Sequence, residues 1–188
     1  KESMESNLTN EGGYDYRFRF LKNIMGLWMI QSVRRELDKA YSFPELAALA
    51  EESTNFPSRV DVNDASFLAP DSMIEAIKDY CKKTNQQVPE TVGEISTCIY
   101  QSLAQSYGQT VKEIENITGR TYSRIHIVGG GSNADYLNEL TAKYTNKEVH
   151  AGPGEATAIG NIVAQLLKDG VFKNLEEARE SIYKSFNI

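Results

Sequence analysis

Cysteine and histidine are scarce in this sequence, which has two of each among 188 residues. Cys81 and Cys98 are seventeen positions apart on different predicted helices, a spacing typical of neither a zinc site nor a Cys-x-x-Cys redox pair. We therefore expect two buried, reduced thiols and no metal site. His126 and His150 lie in strand-like runs, where a histidine usually has a hydrogen-bonded structural role.

Clusters of basic residues are absent as well. The formal net charge is -6 and the pI is near 5.1, and the basic residues form only short pairs such as Arg34-Arg35 and Lys82-Lys83. Because phosphate backbones are held by clustered Lys and Arg, nucleic-acid binding is excluded. No apolar run approaches the length of a membrane span, so we expect a soluble, cytoplasmic protein with no membrane partner.

An N-terminal methionine and a charged-then-apolar leader are both lacking, which predicts a piece of a longer protein. The length suits one domain with a full core, so residues 1–188 are predicted to form a single domain.

The first two thirds of the chain alternate between strand and helix patterns. Residues 14–21 alternate apolar and charged side chains and predict a half-buried strand. Asn23 is predicted to open a helix, and a second helix starts at Ser42 with Pro44 in its first turn. Residues 55–70 read as a long surface connection. Helices are then predicted from Asp71 or Ser72 to about residue 82, and over residues 90–117, where Gly93 and Gly108 are candidate bends.

The last third is the most regular part of the sequence. Strands are predicted over residues 125–128 and 148–150, and helices over residues 133–144 and 156–167, before a closing helix capped by Asn174. This order is a βαβα unit, so the fold class is α/β and the two strands are predicted to be parallel, with helices covering the sheet.

Three consecutive glycines, Gly129 to Gly131, connect the first of these strands to its helix. Glycine-rich backbone at a helix entrance collects unpaired N–H groups and the positive end of the helix dipole, so it predicts an anion site, usually for phosphate. The spacing also fits a relaxed dinucleotide fingerprint, but the following strand lacks the acidic residue at its end. No Lys-Ser/Thr follows the glycines, which excludes a Walker loop. A merely tight turn is the remaining alternative.

Four blocks of sequence, NLTNEGG, RFLKNIMGLWMIQ, HIVGGGSN and AGPGEATAIGN, occur in an order that resembles the C-terminal domain of the FGGY carbohydrate kinases, and within them the rhamnulokinases. The resemblance covers about residues 7–167. It implies the C-terminal lobe of an actin-like, ribonuclease-H-like ATPase fold, with the βαβα unit and added helices. It also implies an enzyme of rhamnose catabolism that, with Mg²⁺, transfers the γ-phosphoryl group of ATP to the 1-hydroxyl of L-rhamnulose.

By this resemblance, Asn23 binds the ketose, Gln31 faces ATP, and Gly130 contacts ATP with Gly129 and Gly131 as its supports. If Asn23 and Gln31 share one helix, eight residues separate them by about 12 Å. A positive φ at Gly130 would explain why a side chain is not tolerated there. The chain departs from the family in having Asn133-Ala134 after GGGS, so no side-chain contact is assigned to that pair.

The resemblance implies no catalytic residue in this chain. The family's phosphate-gripping motif and its catalytic aspartate belong to an N-terminal lobe upstream of Lys1, so we expect half of an enzyme whose partner is that lobe. Two alternatives stay open. One is a family kinase for another substrate, such as xylulose, fuculose or a quorum-signal sugar; the other is a stand-alone, non-catalytic nucleotide-binding module.

Overall fold

The computed structural model describes residues 8–186, an α/β arrangement of four strands and seven α-helices in that range. Of the four sequence blocks, only Asn7, the first residue of NLTNEGG, lies outside the described residues. In chain order, the elements are β1 (Leu8–Gly12), β2 (Phe18–Lys22), α1 (Trp28–Glu36), α2 (Phe43–Glu52), α3 (Met73–Lys83), α4 (Val92–Thr118), β3 (Arg124–Ile127), α5 (Asp135–Thr145), β4 (Glu148–Ala151), α6 (Ala156–Lys168) and α7 (Leu175–Phe186).

The N-terminal strands form an antiparallel hairpin in which Leu8 pairs with Lys22 and Gly12 with Phe18. The prediction of one strand over residues 14–21 is therefore wrong at its start, because Tyr14–Tyr16 form a short 3-10 turn and the strand begins at Phe18. Strand β1 was missed because its sequence, LTNEG, buries only Leu8 and carries no alternating pattern. An ion pair between Lys22 and Glu113 connects the hairpin to α4.

The helix starts predicted at Ser42 and Ser72 agree with the structure, and the one predicted at Asn23 does not. Ser42 caps α2 in a capping box with Glu45, and Ser72 caps α3, as predicted. By contrast, Asn23 does not open α1, which begins five residues later with Leu27 at its N-cap. Gly26, whose φ is +64°, interrupts the backbone between them, so the expected helical spacing from Asn23 to Gln31 is also wrong.

The main core is formed by buried residues of the helices from α1 to α5. The long connection after α2 also contributes to it. Phe56, Val60, Val62 and Phe67 are all buried, so the prediction that residues 55–70 run over the surface holds only for part of the segment. The backbone N–H of Val60 donates to Ser102 Oγ on α4 over 2.9 Å. The segment lacks regular structure because its apolar residues follow neither a helical nor a strand period.

Gly93 and Gly108, the candidate bends, do not interrupt α4, which is one continuous helix of 27 residues. Both glycines instead allow neighbouring helices to approach. A Cβ at Gly93 would lie 2.8 Å from the carbonyl oxygen of Leu49 on α2, and one at Gly108 would lie 2.9 Å from that of Tyr144 on α5. Helix α4 therefore packs against both neighbours through its backbone.

The C-terminal third confirms the βαβα prediction. Strands β3 and β4 are parallel, with His126 opposite His150 and Ile127 opposite Ala151. The two imidazole rings stack with centroids 5.1 Å apart, in agreement with a structural role. Helix α7 is capped as predicted, since Asn174 Oδ1 accepts from the N–H of Glu177 over 2.9 Å.

The two cysteines are free and buried on α3 and α4, as expected. A hydrogen bond with Cys81, together with burial, raises the pKa of Cys98, so this thiol stays protonated. Within residues 8–186, no helix is long and apolar enough to cross a membrane.

Replacing Gly108 by Ala should destabilise the chain by about 1–3 kcal/mol, because the new methyl group meets the backbone of α5 and the two helices must separate. Urea unfolding of the 188-residue chain measures this change.

Gly160→Ala in α6 is the matched control, because no atom lies within 4 Å of the position that its new methyl group would occupy. This variant should be stabilised by about 0.5–1 kcal/mol through the helix preference of Ala over Gly. Equal stability changes in the two variants would contradict the close approach of α4 and α5.

Candidate functional site

A cavity of about 820 Å³ opens where α1, α2 and α5 meet the glycine turn between β3 and α5. Its volume falls in the range that suits a nucleotide-sized or drug-sized ligand. Its lining residues come from segments that are far apart in the sequence, and only folding brings them together.

The glycine turn, residues Gly129–Asn133, forms a short 3-10 turn at the carboxyl end of β3. Its start is fixed because the N–H of Gly129 donates to the carbonyl oxygen of Pro153 over 3.1 Å. Its end is fixed because Ser132 Oγ donates to the carbonyl oxygen of Gly129 over 2.8 Å, and Asn138 Nδ2 donates to that of Ser132 over 3.0 Å. The turn therefore presents a preformed backbone to the cavity.

The three glycines have three different roles. Gly129 has a positive φ, +75°, whereas Gly130 does not, so a positive φ cannot be the reason for glycine at position 130. Gly130 lines the cavity, and a Cβ there would meet no atom within 4 Å. Gly131 also lines the cavity, and a Cβ there would come within 3.8 Å of Leu27 Cδ1. The open space is thus at Gly130, where the backbone faces the cavity directly.

The entrance of α5 adds a second group of backbone donors. Its N-cap, Ala134, makes no side-chain hydrogen bond to the first turn, so the N–H groups there have no cap. The dipole of α5 places partial positive charge at this end, as the sequence predicted for the glycine turn. Asp135, in the first turn, offsets part of that charge.

Helix α2 supplies a wall that the sequence reasoning missed. Pro44, Ala47, Ala48 and Glu51 line the cavity, and their spacing of three or four residues puts them on one stripe of the helix. Because the side chains of Ala47 and Ala48 are small, they leave space between α2 and α5. An apolar stripe on a capped helix was visible in the sequence, but nothing there showed that it faces a cavity.

The floor of the cavity contains an aromatic pair from α4 and α5. The rings of Tyr100 and Tyr136 meet edge to face with centroids 5.6 Å apart. Burial, with a smaller contribution from Tyr136, raises the pKa of Tyr100 to about 12, so its hydroxyl is neutral at physiological pH. The pair gives the floor a rigid apolar surface.

The structure brings some of the predicted site residues together and separates others. Gln31, Gly130 and Gly131 line the same cavity, and Gly129 stands directly behind them as the start of the turn. Asn133 and Ala134, to which no contact was assigned, line it too. Asn23 does not: its side chain is exposed in the segment between β2 and α1.

Among residues 8–186, no group of three or more His, Cys, Asp or Glu side chains is arranged to hold a metal ion. These residues therefore offer no cluster that would hold Mg²⁺ without ligands from elsewhere. The cavity itself has the volume for an organic ligand of roughly nucleotide size, with open space beside the backbone of Gly130.

The family follows from comparison with known proteins. Residues 1–168 match the C-terminal domain of the FGGY family of carbohydrate kinases. This chain belongs to that family.

Three similar proteins, each named rhamnulokinase, give the comparison more detail. They come from Halalkalibacterium halodurans, Oceanobacillus iheyensis and Bacillus subtilis, and are 50%, 46% and 44% identical to this chain over 99 to 100% of its length. The chain spans only 38 to 40% of the length of these relatives.

Proposed function

We propose that this chain is the nucleotide-binding C-terminal lobe of an ATP-dependent kinase that phosphorylates the 1-hydroxyl of L-rhamnulose in rhamnose catabolism. The observation that carries the proposal is the similarity of the whole of this chain to part of a protein named rhamnulokinase, at 50% identity. The cavity supports it independently, because it offers a nucleotide-sized space beside a preformed glycine turn.

The fold proposed for the whole protein is that of the actin-like, ribonuclease-H-like ATPases. The parallel pair β3 and β4, each followed by a glycine-containing turn and a helix, is the part of this chain that supports it. An N-terminal lobe would precede this chain, in keeping with the greater length of its relatives.

In this proposal the chain binds and orients ATP, while the reacting sugar lies between the lobes. Gly130 and Gly131 would contact the nucleotide through their backbone, and Gln31 would face it from α1. Asn23 would hold the ketose from its exposed position outside the cavity. Phosphoryl transfer depends mainly on such positioning and on charge stabilisation.

The chemistry that remains would be supplied by the other lobe. A carboxylate there would accept the proton of the sugar hydroxyl as the oxygen attacks phosphorus. Mg²⁺ would neutralise charge on the phosphates, with its ligands drawn from phosphate, water and the other lobe, since the described residues of this chain do not provide a site for it.

The deciding experiment compares the full-length protein with the 188-residue chain. The full-length kinase, with Mg-ATP, should phosphorylate L-rhamnulose in preference to xylulose and fuculose, whereas the isolated chain should form no sugar phosphate above background. Product formation is followed by ADP release and by mass spectrometry of the sugar phosphate.

A preference for another ketose would contradict the assigned substrate and leave the kinase assignment intact. Turnover by the isolated chain would contradict the two-lobe proposal, since it would require a base within residues 1–188. Inactivity of the full-length protein on every ketose would contradict the kinase assignment itself.

Gly130→Val should weaken ATP binding to the full-length kinase at least about tenfold, equal to about 1.4 kcal/mol, because its branched side chain fills the space beside the turn. The fold should be unaffected, since Gly130 has no positive φ and no neighbour within 4 Å of a Cβ. Isothermal titration calorimetry measures the affinity, and thermal unfolding checks the fold.

Gly129→Ala is the matched structural control. A Cβ at its φ of +75° costs about 1–2 kcal/mol of stability. If the Gly130→Val variant bound ATP as tightly as the unmodified protein, Gly130 would not be part of the nucleotide site.

Asn23→Ala should raise KM for the ketose about tenfold or more and leave KM for ATP unchanged, because a sugar hydroxyl loses its partner in a closed cleft. Since Asn23 is exposed and caps no helix, its truncation should not disturb the fold. Steady-state kinetics with each substrate varied in turn separates the two constants.

Asn116→Ala, an exposed residue on α4 outside the cavity, serves as the control and should change neither constant. If Asn23→Ala raised KM for both substrates equally, a direct contact with the ketose would be refuted.

A further inference from the structure

The charged side chains of the cavity all have the same sign. Glu51, Asp135 and Glu139 line it, and no Lys or Arg does so among the described residues. The guanidinium of Arg34 lies over the ring of Phe43, 4.9 Å from its centroid, and its Nε donates to the carbonyl oxygen of Tyr41 over 2.8 Å. The Arg34 guanidinium is therefore already engaged by residues at and just before the start of α2, and it does not face the cavity.

A negatively charged cavity is a poor receptor for the phosphates of ATP. Like charges a few ångströms apart repel one another strongly at a protein surface. Among the described residues, the positive features of this lining are partial charges only: the N–H groups of the glycine turn and of the α5 entrance, and the side-chain amides of Gln31 and Asn133. A nucleotide would therefore enter with its base and ribose inside the cavity and its phosphates directed out past the turn.

Glu51 is the carboxylate least compatible with phosphate. It is the ninth residue of the ten in α2, so it lies at the C-terminal end of the helix, where the dipole adds partial negative charge. Asp135, by contrast, is at the N-terminal end of α5, where the opposite dipole partly offsets its charge. The surroundings of Glu51 thus favour a ligand group that donates hydrogen bonds.

The structure offers Glu51 unobstructed access to such a group. It follows Ala47 and Ala48 along the same stripe, and its side chain is exposed on the cavity wall. None of the hydrogen bonds or ion pairs found among the described residues engages its carboxylate. Adenine carries an exocyclic amino group, whereas hypoxanthine and guanine carry a carbonyl oxygen at the same ring position.

We infer that Glu51 selects adenine by accepting a hydrogen bond from its exocyclic amino group, and rejects 6-oxopurines because their carbonyl oxygen would face a carboxylate. Glu51 is thereby a specificity residue for the nucleotide, and no part of the phosphoryl-transfer chemistry passes through it. The inference rests on the proposed function in taking an adenine nucleotide as the ligand.

Adenosine and inosine test this directly, because they differ at the amino group and carry no phosphate. Binding of each nucleoside to the full-length kinase is measured by calorimetry. The unmodified protein should bind adenosine at least about tenfold more tightly than inosine, because a hydrogen bond to a charged acceptor is stronger than one between neutral groups.

Glu51→Met keeps the length of the side chain and removes both the charge and the acceptor, so the preference for adenosine should fall to about twofold or less. Glu51→Gln retains an acceptor oxygen and should keep part of the preference. Glu52→Met is the matched control, because this neighbouring exposed glutamate does not line the cavity, and its preference should equal that of the unmodified protein.

An unchanged preference in Glu51→Met would overturn the inference, as would equal binding of adenosine and inosine by the unmodified protein. Loss of the preference in Glu139→Met alone would overturn it in favour of that carboxylate. Failure of the kinase assay is a separate result, because nucleoside binding requires neither a sugar substrate nor phosphoryl transfer.

Discussion

Helix α4 contacts both long walls of the cavity, and it does so at two glycines. At Gly93 it meets the backbone of α2, and at Gly108 it meets that of α5, with less than 3 Å left for any methyl group that replaced the glycine hydrogen. Side-chain hydrogen bonds support the same contacts: Thr97 Oγ1 donates to the carbonyl oxygen of Ala50 over 2.5 Å. The width of the cavity, and with it the position of the stripe on α2, depends on this packing.

The sequence predicted best those features that depend on interactions between residues close together in the chain. The caps of α2, α3 and α7 were evident because Ser42, Ser72 and Asn174 bond to N–H groups only three residues away. The parallel βαβα unit followed from the order of its elements. Asn23 misled the same reasoning, since a good N-cap residue stood before an apolar run that Gly26 separates from the helix.

The cavity was only partly predictable, because its lining is a property of tertiary packing. Gly130 and Gln31 were found through the resemblance of their motifs, and the glycine density itself marked the turn. Ala48 and Tyr100 carry no such signal: an alanine on a helical stripe and a tyrosine in a long helix are ordinary core residues until the neighbouring helices are placed. The close contacts at Gly93 and Gly108 could not be predicted for the same reason, because a helical glycine can mark either a kink or a close contact.

The backbone contacts along α4 also bear on how a ligand enters. At Gly93 and Gly108 the backbone of α4 approaches carbonyl oxygens of α2 and α5 directly, and the hydroxyl of Ser53 also lies beside Gly93, so the two walls have little freedom to move apart. A receptor of this kind is preorganised, and binding to it loses little conformational entropy within the protein. In the two-lobe enzyme proposed here, any closing motion around the reactants would then be a rigid-body rotation between lobes, with this lobe moving as one unit.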